Sequence, residues 1–145
     1  MPSSSRIVRI FTSSSDQMQF GYTILYVDNV ARTLAFYEKA FGLRKKFLHE
    51  DGDYGELDTG ATTLAFAGRQ FMVTIGKNPQ APDAHSPAFE IALCTKDVGA
   101  AIAQAVDAGA TLVQAPKDMP WGQTVAYVTD LDGFLVELCT PMEIS

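Results

Sequence analysis

Two glutamates, Glu90 and Glu137, are the residues best placed to do chemistry. Each lies in a stretch that alternates apolar side chains with others, Glu90-Ile-Ala-Leu-Cys94 and Leu135-Val-Glu-Leu-Cys139. A period of two puts Glu90, Ala92 and Cys94 on one face of a strand, and Leu135, Glu137 and Cys139 on one face of another. Two carboxylates brought close repel, so one is protonated or a cation sits between them. That state favours a cationic or amine-bearing ligand. A carboxylate of this kind is also a candidate general base. The plainer reading leaves Glu90 wet or salt-bridged at a rim and Glu137 hydrogen-bonded to a backbone group or a tyrosine hydroxyl.

Around these acids the sequence offers apolar and aromatic walls. If Thr23, Leu25 and Val27 face a core, Tyr22, Ile24 and Tyr26 face the other way. Phe66 and Phe71 are candidates to extend that wall. Trp121 is the sole tryptophan and sits in the loop Asp118-Met-Pro-Trp-Gly-Gln123, where an aromatic flanks a ligand, flanks an interface or caps the core. Glu56 is on a strand and reaches either the same face or solvent. Cys94 and Cys139 form no C-x-x-C pair, and buried inert thiols are the ordinary reading. His49 falls near a hairpin and His85 in a linker, so both are expected in solvent with no ligand role. The sequence has no Ser/His/Asp arrangement, phosphate loop or dinucleotide fingerprint.

The elements that position these residues repeat. Tyr22–Val27 alternates as a half-buried strand. It leads through Asn29, a helix cap, into a stripe of Val30, Leu34, Tyr37 and Phe41 that Gly42 terminates. About 68 residues later, since Asn29 aligns with Asp97, the same grammar returns. Glu90–Cys94 alternates, Asp97 caps, Val98, Ile102 and Val106 form the stripe, and Gly109 ends it. Three short strands follow each helix, predicted over 44–50, 52–58 and 61–67 and then over 111–115, 123–129 and 132–139. Asp51-Gly52 and Asp132-Gly133 supply turns. The order is strand, helix and three strands, twice over.

This predicts an α+β fold of two fused βαβββ units whose curved mixed sheet encloses a cup. The first unit spans about 20–68 and the second 87–141. The Pro-bearing segment 69–86 joins them, and its apolar stretch Phe71–Ile75 is expected over the cup. Residues 1–17 read as a Ser-rich arm ahead of a single domain, 18–141. The formal net charge is −6 with scattered acids. No Lys/Arg stripe is present, so nucleic acid and anionic membranes are not expected partners. No apolar run is long enough to cross a bilayer. With no secretion signal, reduced cysteines and a cytoplasmic location are expected.

On these patterns the chain resembles the vicinal oxygen chelate superfamily, which includes glyoxalase I, extradiol dioxygenases and the fosfomycin- and bleomycin-resistance proteins. The resemblance covers about residues 20–141. It rests on the strand–cap–helix repeat, on Phe36-Tyr-Glu-Lys-Ala-Phe-Gly-Leu43, and on Val128-Thr-Asp-Leu-Asp-Gly-Phe-Leu-Val-Glu-Leu138. It implies metal ligands on the cup faces of the first and last strand of each unit. Those positions here are Tyr22, Ala65 (with Leu64 as the neighbouring register), Glu90 and Glu137. A catalytic metal takes about three protein ligands, and only the two glutamates qualify. The resemblance therefore points to a metal-independent binding or sequestration protein of the bleomycin-resistance type, with no cofactor and a homodimeric state. Its small ligand contacts Tyr22, Ile24, Tyr26, Phe66, Glu90, Trp121 and Glu137. The alternative is a glyoxalase-like lyase or isomerase with a reduced divalent-metal site on Glu90 and Glu137.

Overall fold

The computed structural model describes residues 17–142. The arm assigned to 1–17 thus lies, apart from Gln17, outside the described residues. Strand β1 (Tyr22–Val27) leads into helix α1 (Val30–Phe41), then β2 (Lys45–Leu48), β3 (Tyr54–Leu57) and β4 (Thr63–Gly68). A short helix α2 (Arg69–Thr74) opens the connection to the second unit. That unit is β5 (Glu90–Cys94), α3 (Val98–Asp107), β6 (Thr111–Asp118), β7 (Thr124–Thr129) and β8 (Leu135–Cys139). The sheets have matching orders, β1-β4-β3-β2 and β5-β8-β7-β6. In each, the first strand is an outer strand, parallel to the last.

The caps work as their residue types require. Asn29 accepts from the Arg32 N–H at 3.0 Å, and Asp97 from the Ala100 N–H at 3.0 Å. Gly42 adopts φ 71°, and its N–H closes on the Glu38 carbonyl. Helix α1 buries Val30, Thr33, Leu34, Phe36, Tyr37 and Ala40. Each large apolar side chain in that set is worth roughly 1.5–3 kcal/mol of transfer from water. Helix α3 buries Val98, Ile102 and Ala105, whereas Val106 is exposed. The third buried member of its stripe is therefore Ala105. The helix-facing sides of both sheets and both helices share one core.

Gly55 shows how tightly α1 lies on its sheet. A Cβ there would meet Leu34 Cδ1 at 2.6 Å, the Phe47 carbonyl oxygen at 3.1 Å and Val30 Cγ1 at 3.2 Å. Leu34 can rotate, but backbone and a β-branched valine yield little. Gly55→Ala is expected to cost about 1–3 kcal/mol by overpacking, read as a lower urea midpoint; an unchanged midpoint would show that α1 shifts freely.

The Asp-x-Asp-Gly turn between β7 and β8 joins the two units. Asp130 Oδ1 accepts from the N–H groups of Asp132, Gly133 and Phe134, each at 2.9 Å. Its Oδ2 accepts from the Tyr37 hydroxyl on α1. Asp132 Oδ2 accepts from Thr33 Oγ1 at 2.7 Å. The motif is thus a clasp that grips the first unit's helix. Burial pushes the Asp130 carboxyl up, while its bonds to Tyr37 and to backbone N–H groups pull the other way. Burial and the Asp130 charge hold the Tyr37 phenol well above its ordinary value.

Two boundaries moved for physical reasons. Strand β6 runs to Asp118, through Pro116, because it is an outer strand and its register shifts between Gln114 and Lys117; proline is tolerated there. Phe71–Ile75, expected over the cup, belongs instead to α2 and its C-cap, of which only Met72 is buried. Contact with the cup-side residue Tyr26 comes from Arg69 at the start of that helix, which donates to the Tyr26 carbonyl at 3.1 Å, and from the following Lys77, whose Nζ lies 3.0 Å from the Tyr26 hydroxyl.

Candidate functional site

Sheet register settles which side chains share a face. In the second unit Ala92 pairs with Glu137, Glu90 with Leu135 and Cys94 with Cys139. Tyr127 pairs with Glu137 from the other side. Glu90, Glu137, Tyr127 and both thiols therefore project from the face opposite α3. In the first unit Tyr22 pairs with Thr63, Ile24 with Ala65 and Tyr26 with Ala67. Ala65, rather than Leu64, is thus the residue on the open face.

The two glutamates meet. A side-chain hydrogen bond to Glu137, followed by burial and the Glu137 charge, raises the Glu90 carboxyl to about 7. They lie diagonally across β5 and β8, so the proton that Glu90 keeps up to about 7 is held within the pair. Tyr127 sits beside them, its phenol pushed up by burial and then by the Glu137 and Glu90 charges. It is neutral at ordinary pH and adds an amphipathic wall.

The aromatic strip on β1 forms as expected. Tyr22 is 40 % and Ile24 45 % exposed, and Tyr26 is half-buried. Among the described residues, no polar contact joins this strip to the acid pair. Between the sheets runs a groove of about 370 Å³, lined by Thr23, Thr63 and Leu64 on one side and Glu90–Leu93 on the other.

Phe66 is not on the wall. It pairs with Leu25 on the helix side, is fully buried, and packs on Tyr37 at 5.0 Å between ring centroids. Trp121 is 58 % exposed, and its indole N–H donates to Gln123 Oε1 at 2.8 Å. It lines a depression with Lys96, Thr140 and Met142, at the end of the sheet away from Glu90. His49 and His85 are exposed, as expected.

Glu56 faces the open side of the first sheet, directly opposite Ala65, yet is fully buried. Its Oε2 accepts from the Tyr54 hydroxyl at 2.7 Å, and Lys46 Nζ lies 3.8 Å from Oε1. Burial and the bond to Glu56 push the Tyr54 phenol up. Glu56 is thus bound into a local Lys–Glu–Tyr group.

The donor set does not fit a three-ligand metal. Tyr22 and Ala65 hold the first unit's two positions, and among the described residues no three His, Cys, Asp or Glu side chains converge on one point. No helix among the described residues is long and apolar enough to cross a membrane.

Known proteins show what this architecture is similar to. The family model for the Glyoxalase/Bleomycin resistance protein/Dioxygenase superfamily matches residues 19–138. A glyoxalase-related enzyme from Fulvimarina pelagi superposes with a TM-score of 0.74 at 19 % identity, covering 86 % of this chain and 89 % of that one. A glyoxalase/bleomycin resistance protein/dioxygenase family enzyme from Burkholderia phytofirmans PsJN gives 0.68 at 19 % identity, over 85 % and 98 %. TioX from Micromonospora sp. ML1 gives 0.65 at 22 % identity, over 85 % and 98 %. No curated protein sequence matches the chain. The structural likenesses establish the shared fold, and with the family model spanning both repeated units, the chain belongs to the Glyoxalase/Bleomycin resistance protein/Dioxygenase superfamily.

Proposed function

We propose that this protein binds and sequesters a small cationic ligand without a metal, in the manner of a bleomycin-resistance protein. The observation that carries this reading is the Glu90–Glu137 pair, two carboxyls in side-chain contact on the open face of the second sheet, the first of them raised to about 7. An amine arriving there replaces the proton and relieves the repulsion between the acids. Tyr22, Ile24 and Tyr26 supply the apolar and aromatic surface such a ligand also needs.

Two copies complete the site in this reading. Strands β1 and β5 are outer strands of their sheets, and an exposed apolar edge such as β1 is ordinarily covered. Setting β1 of one copy beside β5 of the other brings the tyrosine strip over the acid pair. A cytoplasmic setting, which keeps thiols such as Cys94 and Cys139 reduced at rest, is part of this reading.

A second reading has its own support. Glu90, raised to about 7, has the value a general acid or base needs at neutral pH. The protein would then be a lyase or isomerase.

Elemental mass spectrometry of untagged protein purified without chelator separates the two, alongside a thermal-shift screen of basic antibiotics and amine metabolites. Metal well below one ion per chain, with a melting rise on amines and none on their neutral analogues, is the expected outcome. One divalent ion per chain, lost in Glu137→Ala, would overturn sequestration in favour of the enzyme.

A further inference from the structure

Cys94 and Cys139 have no part in that binding function, yet the fold sets them face to face. They are direct register partners on neighbouring parallel strands. Both project from the open face, with their Sγ atoms 4.0 Å apart. Cys94 is exposed and Cys139 is buried. One thiol is therefore reachable from solvent, and a second is held behind it.

We propose that Cys94 and Cys139 are a redox-active dithiol that a peroxide closes into a reversible cross-strand disulfide. Cys94 meets the oxidant first. The peroxide O–O bond breaks, the Cys94 sulfur keeps one oxygen as a sulfenic acid, and one water leaves. The Cys139 sulfur then attacks the Cys94 sulfur. The S–S bond forms, the S–O bond breaks, and the oxygen departs with the Cys139 proton as a second water. Two thiols are oxidised by two electrons, and one hydrogen peroxide is reduced to two waters.

The surroundings set one condition on these roles. Burial, contact with Cys94 and contact with Glu137 push the Cys139 thiol up to about 12. It does not ionise unaided, so its attack needs a base to take the proton, and Glu137, two residues earlier on the same strand face, is the base this proposal assigns. Neighbouring strands lie about 4.8 Å apart, within the roughly 4.4–6.8 Å span of Cα atoms across disulfides. The sulfurs must still close from 4.0 Å to about 2.05 Å. Strand β5 can give way because it is an outer strand. A soft metal ion across the two sulfurs is less well served, since no third donor converges there among the described residues. The bond would draw in β5, which carries Glu90, so oxidation would be felt at the acid pair.

The test uses the full-length wild-type chain, fully reduced and then treated with a few equivalents of hydrogen peroxide. Thiols are counted by maleimide labelling after denaturation, and intact and peptide masses are recorded. The expected result is loss of both thiols together, a mass lower by two hydrogens, a linked Cys94–Cys139 peptide, and full recovery with dithiothreitol. In Cys94→Ser, Cys139 is expected to stay reduced under the same treatment. Two oxygens added at Cys94 with Cys139 still free, or a Cys94–Cys94 link between chains, would overturn the proposal. None of these readouts depends on a bound ligand, so the result stands apart from the sequestration reading.

Discussion

Asp130→Ala is expected to be the most damaging single substitution in this chain, costing roughly 4–5 kcal/mol or preventing folding. The carboxylate accepts three backbone N–H groups through one oxygen and the buried Tyr37 hydroxyl through the other. Alanine takes the side-chain acceptor from all four donors: the Gly133 N–H keeps the Asp130 backbone carbonyl at 3.2 Å, while the buried Tyr37 hydroxyl bears the full cost of an unsatisfied group, about 1–3 kcal/mol. Two milder variants keep the test informative if alanine does not fold. Asp130→Asn retains an oxygen for the backbone and is expected to lose less. Tyr37→Phe removes the hydroxyl and strands one carboxylate oxygen, for about 1–3 kcal/mol. Urea denaturation of the two singles and their double should show strong coupling. Additive losses would mean that Asp130 only shapes its own turn and does not hold the units together.

The second large effect concerns the acid pair. Glu137→Gln is expected to weaken the tightest amine found in the screen by roughly 10- to 100-fold at pH 8, the worth of one charge-assisted contact. The pH dependence is more diagnostic. Glu90 has a folded value of about 7 against an ordinary 4.5, so the free protein holds one extra proton between those values. Its stabilising contribution is complete below pH 4.5 and is lost as pH rises through 7. The wild-type melting temperature should therefore lose a contribution progressively between pH 4.5 and pH 7 and level off above that, and Glu137→Gln should not show that loss. A cationic ligand must expel the proton, so wild-type affinity should climb by up to about tenfold per pH unit below neutrality and then level off. Isothermal titration in buffers of different ionisation enthalpy counts the released proton directly. A flat profile with no proton release would remove the acid pair from the binding site.

The sequence carried the fold through its caps and periods. Asn29 and Asp97 each sit one residue before an apolar helical stripe, and a side-chain oxygen there has few other uses. It also carried the faces of Glu90 and Glu137, because both strands alternate cleanly, while their meeting rests on β5 lying beside β8. Where alternation failed, so did the assignment of faces. Leu64-Ala-Phe-Ala67 is apolar throughout, so nothing in it distinguishes inside from outside, and Phe66 was placed on the wrong side until register with Leu25 decided it. Tyr127 was legible in principle, since Val125, Tyr127 and Thr129 share the period of their partner strand β8. Glu56 could have been paired with Tyr54, two residues earlier on the same face. The cysteine contact could not be read, because it depends on β5 and β8 lying side by side in one register, a long-range fact that no local pattern encodes. The Asp-x-Asp-Gly turn was visible as a turn, but its grip on Tyr37 and Thr33 is a contact between units.

That grip also bears on time. The Tyr37–Asp130 and Thr33–Asp132 bonds join residues 93 and 99 positions apart. Closing so long a loop costs entropy that its contacts repay only once α1 and the β7–β8 turn both exist. The clasp is therefore a late arrival on the folding path and an early casualty of its reversal. Weakening it should shorten the lifetime of the native state by speeding unfolding, while the rate of folding barely changes. The duplicated units gain from it, together with their shared core, a coupling of their lifetimes.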